Sequence, residues 1–131
     1  MPHLRVYEEA DRAIQEHKWI ESEKAGRDLG ADARKDWIEH YWCPFYRSRL
    51  VQHLRGEAFF DEFDTKCFGI LTGRLGEATG LLNFVLERIK DGAENLDLFR
   101  WGCEQQVPPN ELLQVLIAAD INGNRLLPPL M

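Results

Sequence analysis

HYWCPFY, residues 40–46, gathers four aromatic rings, a histidine and a cysteine around one proline, and the reading of that proline decides the fold. Up to residue 45, Trp37, Ile38, Tyr41, Trp42 and Phe45 recur every three or four residues. After it, Tyr46, Leu50, Val51 and Leu54 form a second stripe, turned relative to the first. Both spacings belong to a helix rather than to a strand, whose side chains would alternate. Pro44 has no amide to give, and its ring crowds the carbonyl of His40, so a helix here is expected to be kinked or broken near Pro44. Two apolar flanks can then wrap a common interior.

Working outward, almost every other apolar run repeats at helical spacing. A first helix is expected from Tyr7 to Ala25, with Ala10, Ala13, Ile14 and Ile20 inward and Gly26 closing it. Asp28 or Asp32 can accept from the first amides of the next helix. A helix is expected between Glu57 and Leu71 on Phe60, Phe63, Cys67, Ile70 and Leu71, and another on Leu75, Ala78, Leu82, Val85 and Ile89, ended by Gly92. In residues 93–105, Leu96, Phe99 and Cys103 mark an inward face. The prolines of residues 107–110, VPPN, enforce an extended turn, after which Asn110 caps a last helix that stops at Asn122 and Gly123. The expectation is an all-α, compact single-domain bundle of about five to seven helices over residues 1–131, a length at which one chain can bury its own core.

A net charge of -6 weighs against nucleic acid and anionic membranes, which reward clustered cations. No run is long enough to span a membrane, and the first residues lack the basic start and greasy stretch of a secretion signal. Cys43, Cys67 and Cys103 offer no paired spacing. A reduced cytoplasmic protein is expected, with no cofactor required. Arg47, Arg49 and Arg55 precede Glu57, Asp61, Glu62 and Asp64, which reads as opposite charge on neighbouring elements.

Three constellations could carry chemistry. A helix restarting at Pro44 would put Cys43 at its N-cap, where the dipole favours a thiolate, with Arg47 one turn on. CPFYRSRL, residues 43–50, resembles the active-site segment of the cysteine-type glutathione transferases, although the arginines fall one position early and the preceding residues are helical where that fold has a strand. That resemblance implies Cys43 as a catalytic nucleophile. Asp36, His40 and Cys43, at i, i+4 and i+7, are candidate metal ligands. His17, His40 and Arg47 are candidate ligand-binding residues, with His17 also read as a hydrogen-bonded inner-face histidine. DINGN, residues 120–124, fails as a calcium loop because Gly123 is out of register and no glutamate stands at the twelfth position.

Residues 16–33, EHKWIESEKAGRDLGADA, resemble a segment of an uncharacterised bacterial domain family through His17, Lys18, Trp19, Ser22, Glu23, Ala25, Gly26 and Asp28. What this implies is a bacterial protein of unknown role, with no activity to carry over. Trp19, Trp42 and Trp101 exceed the needs of a small core and are candidate interface residues. The expected function is a protein-interaction or self-associating module, its partner a protein or a second copy. The alternatives are a Cys43-centred thiol enzyme or a helical metal- or ligand-binding protein.

Overall fold

Two glycines bound the longest elements. Helix α1 spans Val6–Ala25 and ends at Gly26, while α2 spans Gly30–Arg55 and ends at Gly56. Both caps take the left-handed conformation, with φ of 69° and 76°, which costs glycine nothing and lets the cap amide reach back to the last turn. The computed structural model describes residues 2–70 and 79–129. The short link between the two helices is tied by side chains: Ser22 Oγ accepts from the Leu29 amide at 3.1 Å, and Asp28 Oδ1 from the Gly30 amide at 2.9 Å.

Helix α2 runs through Pro44 without a break. Pro44 and His40 are both exposed, so the carbonyl that loses its helical amide faces water instead of the core. Cys43 therefore lies inside a helix, not at an N-cap, and the free amides that would have stabilised its thiolate do not exist.

The start of α1 is held from a distance. The carboxylate of Glu62 accepts from the amides of Val6 at 2.8 Å and Tyr7 at 2.9 Å, placing negative charge on the positive end of the helix. A two-residue parallel ladder brings the segments together, β1 (His3–Leu4) pairing with β2 (Phe59–Phe60). From Glu57 to Gly69 the expected helix gives way to β2 and a 3-10 turn at Thr65–Cys67, and Leu71 lies outside the described residues. Phe60, Phe63 and Cys67 are nonetheless buried, so the inward residues were identified correctly but their backbone was not.

Three further helices follow among the described residues: α3 (Thr79–Lys90), α4 (Asn95–Glu104) and α5 (Pro109–Ala119). Leu75 and Ala78 of the expected third stripe lie outside the described residues, but Val85 and Ile89 are fully buried. In α4 the inward face is Leu98 and Gly102, while Leu96, Phe99 and Cys103 are exposed. The reason is close approach: the Leu112 side chain of α5 fills the space where a Cβ on Gly102 would sit. Helix α5 begins at Pro109 and is ended by Asp120 at φ 44°, so Asn110 is not its cap and the stop comes before Asn122.

Among the described residues the five helices feed a single cluster of buried side chains, from Val6 and Ile14 through Leu50 and Leu54 to Val85, Leu98, Leu112 and Ile121. The protein is all-α apart from the small ladder. Among the described residues no helix is long and apolar enough to cross a membrane.

Candidate functional site

The polar groups of α2 fall into two sets, and burial separates them. Arg47 is fully buried. Its Nε donates to Tyr46 Oη at 3.0 Å, Nη1 to the carbonyls of Ile89 and Ala93 at 3.3 and 2.8 Å, and Nη2 to Glu94 at 3.0 Å. Ile89 lies in the last turn of α3, so the guanidinium sits on the negative end of that helix. Glu94 also accepts from Arg125 at 2.6 Å and forms a capping box with Asp97 at the start of α4. With its fork spent on the fold, Arg47 is a structural clamp among α2, α3 and α4 and not a ligand-binding residue. Arg49 pairs with Glu9 at 3.3 Å and lies over Phe45, and Arg55 reaches Glu57 at 3.9 Å. Among the described residues Glu57 is the only member of the expected acidic run that pairs with these arginines.

His53, one turn above the end of α2, was not singled out in the sequence. The signal was present: it follows Leu50 by three positions and precedes Leu54 on the inward stripe. It is fully buried among Phe59, Phe63 and Phe68. Its Nδ1 accepts from the Phe60 amide at 3.1 Å, so the proton is on Nε2, which donates to the Asp64 carbonyl at 2.9 Å. Burial pushes its pKa down, outweighing the pull of Asp64. Beside it, buried Asn124 accepts from the Asp64 amide at 3.0 Å and donates to the carbonyls of Ala119 and Asp120, both at 3.1 Å. Asn124 also faces Cys67, whose thiol pKa is raised by burial.

The second set is near the surface. His17 Nε2 on α1 meets one oxygen of Asp36 on α2 at 2.9 Å, and His40 Nδ1 meets the other at 3.0 Å. His17, 15% exposed, is thus the hydrogen-bonded inner-flank histidine its position between Ile14 and Ile20 indicated. His40 is exposed, and its pKa is raised by the Asp36 carbonyl and then by the Asp36 charge. Cys43 does not join them; its sulfur faces Gly92, beyond the end of α3. Asp36, His40 and Cys43 therefore do not form a ligand set, and among the described residues no three histidine, cysteine or acidic side chains are arranged to hold a metal ion.

The tryptophans divide in the same way. Trp42 is buried, stacked on Tyr7 with centroids 5.6 Å apart, and its Nε1 donates to the Leu126 carbonyl at 3.2 Å. It is a core residue and not an interface anchor. Trp101 is half-buried and stacks on Phe84 at 4.2 Å. Trp19 is 66% exposed. It stands over an open groove of about 710 Å³ lined by Gln15, Lys18, Ser22, Glu23, Arg27 and Asp28. Gln15, Trp19, Ser22, Glu23 and Gly26 lie on this face because they recur at helical spacing on the side of α1 opposite Ala10 and Ile14. Lys18, Glu23 and Arg27 form no ion pair among the described residues. No protein-family model, curated protein or solved structure matches the chain.

Proposed function

We propose that the protein is a helical interaction module that self-associates through the outer face of α1, with Trp19 as the anchor. The observation that carries this is an indole left two-thirds exposed above a groove whose Lys18, Glu23 and Arg27 form no ion pair among the described residues. A ring of this size exposed to this degree is the kind of group that dominates interface energies once water is removed from it.

Charge selects a second copy as the partner. Lys18 and Arg27 balance Glu23 and Asp28 across the groove, on a chain whose net charge is -6. Two chains of this net charge repel each other overall, whereas here each cation can face the partner's carboxylate. A two-fold interface requires such a self-complementary patch. Six of the positions that carry the resemblance to an uncharacterised bacterial family, Lys18, Trp19, Ser22, Glu23, Gly26 and Asp28, line this groove. The bacterial and cytoplasmic setting belongs to the same proposal.

Light scattering on the wild type and Trp19→Ala tests the reading. Removing a central aromatic anchor is expected to weaken association by about 2 kcal/mol, roughly 30-fold, with melting of the subunit unchanged. A wild type that stays monomeric across working concentrations contradicts it.

A further inference from the structure

The groove residues of α1 have the same spacing read from either end. Gln15, Lys18, Trp19, Ser22, Glu23 and Gly26 follow one another at steps of three, one, three, one and three residues along the helix and its cap. That succession is symmetric about the midpoint between Ile20 and Glu21. A second α1 laid antiparallel across a two-fold axis at this midpoint therefore sets each of these residues opposite another of them. Lys18 meets Glu23 of the second copy, Trp19 meets its Ser22, and Gln15 meets its Gly26. Each match occurs twice.

The chemistry agrees with the symmetry at every match. Lys18 and Glu23 carry opposite charge, and neither forms an ion pair among the described residues. The exposed indole of Trp19 comes against a serine, and Gln15 against a residue with no side chain, so large groups face small ones and the two backbones can approach. Other registers lose these matches. Parallel helices set Lys18 against Lys18 and Glu23 against Glu23, which is repulsive. An antiparallel pair slid one turn so that Trp19 meets Gly26 sets Lys18 against Arg27, and one slid the other way aims Glu23 at Ile14, which is buried in its own subunit.

We propose, building on self-association through the Trp19 face, that the dimer is a two-fold antiparallel pair of α1 helices with its axis between Ile20 and Glu21, and that reciprocal Lys18–Glu23 ion pairs select this register. Trp19 supplies the attraction. The charges supply the specificity, which is the usual division of labour at an interface.

The test is charge reversal, read as dissociation constants by analytical ultracentrifugation at low salt, on Lys18→Glu, Glu23→Lys, the double variant and an equimolar mixture of the two single variants. Each single reversal is expected to weaken self-association about tenfold, because it creates two like-charge contacts per dimer. Glu23→Lys is the sharper of the two: it makes the chain less negative than -6 and would strengthen association if overall repulsion alone governed it. The double variant and the mixture each restore two opposite-charge contacts, and both are expected to return to within about threefold of wild type. Residues 18 and 23, five apart on one helix, do not face each other within a chain, so this recovery reads a contact between copies. Neither side chain belongs to the core, and melting of the subunit is expected to be unchanged in all variants. Single variants that associate as well as wild type, or a double variant and mixture that stay as weak as the singles, overturn this register; if Trp19→Ala still dissociates the wild-type dimer, the Trp19 face itself stands. A monomeric wild type overturns both.

Discussion

The seam around Arg47, His53 and Trp42 and the outer face around Trp19 use the same kinds of side chain to opposite ends. In the seam the polar hydrogens discussed above find acceptors within the chain. On the outer face Lys18, Glu23 and Arg27, which flank the exposed indole, form no ion pair among the described residues. Residue type therefore says little about role here. What discriminates is whether the fold itself completes a group's bonding, and groups left incomplete at the surface are those available to another molecule.

The largest perturbation of this contrast is expected from Arg47→Ala. It leaves the carbonyls of Ile89 and Ala93 buried without their donor and Glu94 without one of its two arginines. By analogy with broken buried pairs the cost is about 3–5 kcal/mol, measurable by chemical denaturation. Gly102→Ala follows at about 1–3 kcal/mol, because the added methyl must displace Leu112. An unchanged denaturation midpoint in either variant would break the claim that these sites are committed to the fold.

The smallest effect is the dependence on pH, and it sets the buried histidine against the exposed one. His53 has a folded pKa below its ordinary value of 6.5, so the unfolded chain binds more protons as pH falls. Its contribution to stability is complete above about pH 6.5 and is lost as pH falls through the depressed folded value. His40 has the opposite sign: its contribution is complete below about 6.5 and is lost as pH rises through the elevated folded value. Melting curves between pH 5 and 8 are expected to show His53→Gln flattening the acid loss and His40→Gln steepening it. Identical slopes in the two variants would contradict the assignment.

The sequence made the helices legible wherever periodicity and a terminating glycine coincided, as in α1, α2 and the end of α3. It misplaced the segment after Glu57 because Phe60, Phe63 and Cys67 happen to fall at helical intervals while the backbone is pinned elsewhere, by β1 and by His53. It inverted α4 because the inward position is Gly102, which carries no hydrophobic signal. Pro44 left a kink and a break both open; α2 continues through it, and the His40 carbonyl that loses its amide lies on a side of the helix that faces water, which the sequence did not show. For the candidate site, the exposure of Trp19 followed from its place off the Ala10–Ile14 stripe. The burial of Trp42 and Arg47 depended on α3 and on residues 125–129, contacts too distant in the chain for local spacing to reveal.

The most direct test of the Trp19 face is hydrogen exchange of the tryptophan indoles as protein concentration is raised. The Trp42 indole should be protected at every concentration, and the Trp19 indole should exchange freely when dilute and slow as copies associate. Trp19 exchange that stays fast and independent of concentration would contradict self-association through this face.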